Sequence, residues 1–377
     1  MTTRFQTNVE RALRQQRLVC GTDRREGVDL SMSLSTPHMI TFAQYSTLIN
    51  NHCTHHGIGL SQSPTLLGQL KAAPHVHFVN GILVDIHIFI IFVVMKSYQQ
   101  LWSQLTPFYD ETEAKALIRT VLEVRYGMSL TDIICGKVSE LSTDERQSLQ
   151  EIILRLQRFE PVQYILGVKE FAGRTFHVSP GVLIPRDETA ELCRWIIDAI
   201  QDSKLKNPTI LDIGTGSGCI AITLSLEIQH AQVAAWDIST TAIQVASQNA
   251  RDLGATVSIV CQDALNAPND AMKWDIIVSN PPYICPTEAE EMEPNVLSYE
   301  PKEALFVPEN HPLLFYEAIA HYATTALKPH GKLYFEINPL YRKAVVEMLK
   351  NKGFIGVMIR KDAFGKERMV CATVPDR

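Results

Sequence analysis

Between residues 111 and 126 apolar side chains fall at Ala114, Leu117, Ile118, Val121, Leu122 and Val124, close to helical spacing, and predict a helix over 111–126. Ser142-Thr143-Asp144-Glu145 has the composition of a helix start, with a side-chain cap and an acidic residue three positions on. The apolar positions continue through Leu149, Ile152, Ile153, Leu156 and Phe159 and stop before Pro161. With 97–105 these segments predict a helical domain of about 70 residues, too small to hold a firm core alone and so expected to dock on the remainder of the chain. After it the period changes. Residues 171–178 alternate loosely around Gly173 and predict a short hairpin. Val182-Leu183-Ile184 is a strand-like triplet closed by Pro185, with a helix expected to begin near Thr189. Apolar runs at 209–213, 232–236, 256–261 and 274–279 then predict strands, with helices expected over 219–228 and 240–253 between the first three. Strand and helix in alternation give the α/β class with a doubly wound, mostly parallel sheet.

The first 94 residues do not fit this organisation. No clean period runs through 1–63. That stretch contains Asn51-His52-Cys53-Thr54-His55-His56, whose donors lie too close in sequence for a zinc spacing and which reads as a polar loop. The run ILVDIHIFIIFVVM at 82–95 is apolar, yet uninterrupted for only eight residues after His87. A spanning helix needs about twenty, so a membrane span is not expected. We expect residues 1–94 to be an upstream extension, disordered or arising from a misassigned start, with Met95 as the functional start.

The chain has 377 residues, 46% hydrophobic and 20% charged, which excludes a disordered chain and leaves ample material for a core. Its net charge is −6, but the first 94 residues carry seven Lys/Arg against five Asp/Glu, so +2 of that total sits there and −8 on the remainder. A negative body argues against a protein that grips nucleic acid through phosphates. The eight cysteines are scattered without a CxxC pair, which fits reduced thiols better than a disulfide framework.

The candidate chemistry lies at the ends of the expected strands. Asp212-Ile213 runs into Gly214-Thr215-Gly216-Ser217-Gly218 and then into a helix, the first unit of a nucleotide-type sheet. Glycine lets the backbone turn tightly and lets a ligand approach where a Cβ would clash. Asp237, at the tip of the second strand, is placed to accept both hydroxyls of a ribose. This spacing also suits NAD, but the loop is GxGxG rather than GxGxxG and shows no pyrophosphate-sized turn. An adenosine without phosphates fits better, and S-adenosyl-L-methionine is the common ligand of that kind. Asp263, just past the third strand, is placed either to accept from an adenine amino group or to cap the next turn.

The fourth strand delivers Asn280-Pro281-Pro282-Tyr283, the sharpest signal in the chain. The prolines stiffen the loop and remove two donors, leaving carbonyls free to accept. A planar NH₂ group could give one hydrogen to Asn280 Oδ1 and the other to the Pro281 carbonyl, with Tyr283 packed on its flat face. Fixing both hydrogens aims the delocalised lone pair at an electrophilic methyl, and positioning of this kind is worth up to about 7–11 kcal/mol. A substrate leaving such an acceptor unmatched loses about 1–3 kcal/mol. The plain alternative is a rigid proline turn without chemistry.

These residues, together with PVQYILG at 161–167, LIPRDET at 183–189, YEPKEAL at 299–305 and KDAFGKER at 361–368, resemble the HemK-type glutamine methyltransferases of peptide chain release factors over 95–377. NPPY is shared with amino-methyltransferases of DNA and RNA, whereas the LIPRDET and YEPKEAL segments are more specific. The resemblance implies a seven-stranded Rossmann-like class I methyltransferase sheet whose last strand is antiparallel. It divides the chain into the extension at 1–94, a helical release-factor-binding domain at 95–168, a hairpin and linker at 169–189, and a methyltransferase domain at 190–377. It implies S-adenosyl-L-methionine as cofactor, held by Gly214, Thr215, Gly216, Ser217, Gly218, Asp237 and Asn280, with Ala264 near the adenine; Asp263 joins this set only from its place past the third strand. Asn280, Pro281, Pro282 and Tyr283 would hold and position the substrate. That substrate is the glutamine of the Gly-Gly-Gln loop of class 1 peptide chain release factors, methylated on its side-chain nitrogen. No metal, no direct nucleic-acid contact and no membrane are expected, and the site of action is the cytoplasm, or an organelle if residues 1–94 are genuine. Asp187 stands where the family carries proline and Ala190 where it carries glutamate. The alternatives are a glutamine methyltransferase of a ribosomal protein, against which LIPRDET argues, an amino-methyltransferase of DNA or RNA, and a binding module on an inactive methyltransferase fold.

Overall fold

The computed structural model describes residues 98–203 and 205–376. The expected extension at 1–94, the Asn51–His56 cluster, the apolar run at 82–95 and the start at Met95 lie outside the described residues.

After helical residues 98–102, the first part of the described chain holds α1 (Glu111–Tyr126), α2 (Leu130–Ile134), α3 (Thr143–Leu156) and α4 (Val162–Leu166). Asp110 caps α1 by accepting the Glu113 N–H, and Gly127 ends it in the left-handed conformation. Ser142 and Glu145 cap α3 reciprocally, as their spacing predicts. The helix stops three residues before Phe159, which turns the chain at φ 61°. Ile118, Val121, Leu122, Ile153 and Leu156 close a small apolar core. The cluster docks on the rest of the chain through Tyr164, packed against Val178 and Ile184, with its hydroxyl donating to the Val182 carbonyl at 2.6 Å. Tyr299 donates to the Arg158 carbonyl at 2.9 Å across the same seam.

The hairpin β1 (Val168–Phe171) and β2 (Arg174–His177) begins three residues earlier than the pattern predicts, with its turn at Ala172-Gly173. Phe171 and Phe176 meet edge-to-face and enter the sheet's core. The triplet Val182-Leu183-Ile184 is not a strand. It is irregular chain: the Val182 N–H closes a turn on the Ser179 carbonyl, the Val182 carbonyl accepts from Tyr164, and the Ile184 N–H donates to Glu300. Helix α5 (Asp187–Gln201) comes next, starting two residues before Thr189.

The main sheet has seven strands in the order β5-β4-β3-β6-β7-β9-β8. They are β3 (Thr209–Ile213), β4 (Gln232–Asp237), β5 (Val257–Cys261), β6 (Trp274–Ser279), β7 (Leu327–Glu336), β8 (Ile355–Lys361) and β9 (Glu367–Thr373). All pairings are parallel except those of β9, which runs antiparallel to β7 and β8. The seven strands and the antiparallel last strand agree with the resemblance. Helices α5, α6 (Cys219–Glu227) and α7 (Thr240–Leu253) cover one face. Two short helices, α8 (Pro294–Tyr299) and α9 (Lys302–Leu305), come after the NPPY loop, and α10 (Leu314–Ala326) and α11 (Arg342–Asn351) pack on the other face. From β3 the chain builds outward to β4 and β5, then returns to lay β6 on the opposite side. The β3/β6 boundary is therefore the switch point, outside whose carboxyl edge α/β sheets bind ligands.

Among the described residues no helix is long and apolar enough to cross a membrane, no group of His, Cys, Asp and Glu could hold a metal, and Cys135, Cys193, Cys219, Cys261, Cys285 and Cys371 are free.

Candidate active site

The sheet register sets the site. Trp236, Ile213, Ser279 and Phe335 are paired across β4, β3, β6 and β7. The next residue of each is Asp237, Gly214, Asn280 and Glu336, so four polar or turning positions leave the sheet at one level. Ser279 Oγ donates to the Ile213 carbonyl at 2.6 Å and locks the two central strands where the glycine turn and the NPPY loop begin.

In the glycine turn the positive-φ residues differ in role. A Cβ on Gly218 would lie 2.8 Å from Ile222 Cδ1 and 3.2 Å from Ala246 Cβ, so this glycine lets α6 pack closely on α7. A Cβ on Gly216 would meet nothing within 4 Å, so the backbone there fronts open space that a ligand can approach. The Gly216 N–H donates to Asp237 Oδ2 at 2.8 Å and the Ser239 N–H to Oδ1 at 2.9 Å, fixing that carboxylate beside the turn. Burial raises the Asp237 pKa, opposed by these backbone bonds. The Thr215 and Ser217 side chains are buried, and Thr215 Oγ1 donates to Asp212 Oδ2 at 2.6 Å. Asp212 also accepts the Ala221 N–H, while its Oδ1 has no partner among the described residues, and burial pushes its pKa up to about 7.

Ile238, next to Asp237, is 65% exposed, and Leu265 is exposed beyond β5. These apolar side chains at the carboxyl edge went unmarked in the sequence, although an isoleucine directly after a strand-end aspartate was a signal. Asp263 takes its capping role: its carboxylate accepts the Leu265 N–H at 2.8 Å and Asn266 Nδ2 at 2.6 Å. Ala264 opens the short turn that this cap holds.

Asn280, Pro281 and Tyr283 line a cleft of about 260 Å³ together with Leu183, Arg186, Ile284 and Val296, while Pro282 is not part of its wall. Among the described residues neither Asn280 Oδ1 nor the Pro281 carbonyl accepts a hydrogen bond. Asn280 Nδ2 donates to Thr189 Oγ1 at 3.3 Å, and that hydroxyl donates to Glu336 Oε2 at 2.6 Å. Tyr283 donates to Glu336 Oε1 at 3.2 Å, while its carbonyl accepts from Asn338 Nδ2 at 3.2 Å. Burial raises the Glu336 carboxyl above the usual range, with Thr189, Tyr283 and Arg368 pulling the other way. Burial likewise raises the Tyr283 phenol, so the ring stays neutral and its hydroxyl a donor. Glu336 was not marked in the sequence. Its signal was a lone acid in the apolar run Leu333-Tyr334-Phe335-Glu336-Ile337, since buried charges are rarely left unpaired.

The two departures from the family pattern sit at the seam. The Asp187 carboxylate is exposed and pairs with Lys169 at 3.0 Å, and Ala190 packs against the sheet's core.

The family model described as "Methyltransferase small domain" matches residues 175–297, and that described as "PrmC N-terminal domain" matches residues 99–167. A release factor glutamine methyltransferase of Bacteroides thetaiotaomicron is 46% identical over 269 residues, covering 71% of this chain and 95% of the relative. One of Flavobacterium psychrophilum is 39% identical over 280 residues, covering 74% and 98%. One of Enterococcus faecalis is 38% identical over 256 residues, covering 68% and 91%. Among solved structures, a 16S rRNA N2 G1207 methyltransferase of T. Thermophilus in complex with AdoMet and guanosine is 18% identical at a TM-score of 0.42, covering 55% of this chain and 49% of that one.

Proposed function

The chain belongs to the release factor glutamine methyltransferase family, and from that premise we propose that Asn280–Tyr283 hold a release-factor glutamine while the Gly214–Gly218 turn and Asp237 hold the methyl donor. The enzyme uses S-adenosyl-L-methionine to methylate the side-chain amide of that glutamine, the residue of the Gly-Gly-Gln loop. The donor supplies an electrophilic methyl carbon on a sulfonium. The chain's residues fit it: Gly216 leaves open space for the ligand, and Asp237 is fixed beside the turn to accept from a ribose. Ile238 and Leu265 offer apolar side chains to a flat base.

The observation that carries this reading is the pair of uncommitted acceptors, Asn280 Oδ1 and the Pro281 carbonyl, at the level where the glycine turn leaves the sheet. Each takes one amide hydrogen, and Tyr283 packs on the plane of the carboxamide. The nitrogen's lone pair is then aimed along the line toward the methyl. A bound donor would supply the methyl carbon and keep the carbon–sulfur electron pair as a neutral thioether, and the amide nitrogen would release to solvent, as a proton, one of the two hydrogens held by Asn280 Oδ1 and the Pro281 carbonyl. The cleft is lined mainly by apolar side chains.

The helical segment before β1, whose residues 99–167 match the family's N-terminal domain, grips the body of the protein substrate. Class 1 release factors are the partners, and the cytoplasm is the site of action.

The test is methyl transfer from a labelled donor to purified release factor, ribosomal protein and DNA, with the modified residue located by mass spectrometry. Label on the release-factor glutamine is the expected result. Label on ribosomal protein or DNA alone overturns the reading.

A further inference from the structure

We propose that Glu336 is a positioning residue that acts through Thr189 to decide which end of the Asn280 amide faces the substrate. The inference rests on the glutamine-methylating role proposed for the NPPY loop and adds a group that touches neither substrate nor donor.

An asparagine amide is nearly symmetric in shape, and a half-turn of its plane exchanges oxygen for NH₂. Only hydrogen-bond partners tell the two apart. In the flipped state Asn280 would present two donors to a substrate that itself brings two donors, and the clamp would repel its ligand. Something behind Asn280 has to forbid that state.

Thr189 Oγ1 stands there, 3.3 Å from Asn280 Nδ2. A hydroxyl can donate or accept, so alone it would tolerate either orientation. Its one hydrogen is already committed, because it lies 2.6 Å from Glu336 Oε2 and a carboxylate only accepts. The hydroxyl then has only a lone pair for Asn280. The amide must turn its NH₂ backward, which leaves Oδ1 facing the cleft. Glu336 Oε1 meanwhile accepts from Tyr283, so one buried carboxylate orients both side chains that frame the carboxamide. The tertiary placement is direct. Glu336 ends β7 and Asn280 comes directly after β6, one residue beyond the Phe335–Ser279 pair, while Thr189 lies in the first turn of α5 above them.

Three variants separate orientation from packing. T189V keeps the shape and removes the hydroxyl, T189S keeps the hydroxyl, and E336Q replaces an acceptor-only group with one that also donates. In single-turnover methylation of release factor, T189V and E336Q are expected to lose about 30–100-fold in rate, with donor affinity by calorimetry within about twofold. T189S is expected to stay within about threefold of wild type. A second readout needs no substrate: hydrogen exchange of the Asn280 side-chain NH₂, followed by NMR on the whole protein, should be slow in wild type and T189S and fast in T189V. Wild-type rates in T189V, equal losses in T189S and T189V, or unchanged exchange in T189V would each overturn the relay. Wild-type protein that does not methylate release factor at all would sink the functional reading instead, and the exchange measurement would still decide the relay.

Discussion

Arg186 donates to Glu300 Oε1 at 2.5 Å while Glu300 Oε2 accepts the Ile184 N–H at 3.1 Å, so one carboxylate ties the LIPRDET segment to the YEPKEAL segment 114 residues away. The Glu300 side chain is 1% exposed and Arg186 is 35% exposed at the wall of the cleft. The pair thus sets where Leu183 and Arg186 stand beside Asn280.

Removing Glu300 leaves a guanidinium without its partner and a buried N–H unmatched. Because Arg186 keeps partial contact with water, Glu300→Ala should cost about 2–3 kcal/mol rather than the roughly 3–5 kcal/mol of a fully buried pair. Glu300→Gln, which still accepts from Ile184, should cost about half as much. Urea unfolding reads both, and equal stability of Glu300→Ala and wild type would show the pair to be idle.

Asn280→Ala removes one of the two acceptors. Turnover on release factor should fall by at least about a hundredfold while donor affinity changes little, because positioning is lost in the transition state rather than in donor binding. Near-normal turnover in this variant would refute the clamp.

The two glycines give opposite signatures. Both have positive φ, so alanine costs about 1–2 kcal/mol of backbone strain at either. Gly218→Ala adds a clash with Ile222 and should lower the melting temperature the more. Gly216→Ala points its methyl into open space and should weaken donor binding the more, as read by calorimetry. The reverse ranking would place the donor elsewhere.

Asp212 makes stability depend on pH. In the folded chain it holds its proton up to about pH 7, against an ordinary value of 3.8. Between those values the folded state binds more protons than the unfolded state, so stability falls as pH rises through the window and levels off above it. Asp212→Asn cannot titrate. Relative to wild type it should gain about 1–4 kcal/mol between pH 4 and pH 7, measured without donor by urea unfolding at both values. A difference that is flat with pH would show that Asp212 is ionised throughout.

Periodicity and local turn chemistry determined a great deal. Helices α1 and α7 and strands β3 and β6 have the bounds their apolar spacing predicts, since a stripe or a short apolar run needs only neighbouring residues to declare itself. The glycine turn and the proline loop were equally legible, because backbone that must turn tightly or give up donors restricts residue type at the position itself. Where polar groups find partners across the fold, the sequence was silent. The triplet at 182–184 reads as a strand until Glu300 takes the Ile184 N–H. Glu336 went unmarked within its apolar run. Only the register of β6 against β7, and a helix start 147 residues earlier, bring it behind Asn280 and Tyr283. A buried charge must replace its lost water with several donors, and nothing local can supply them, so its partners are set by tertiary structure alone.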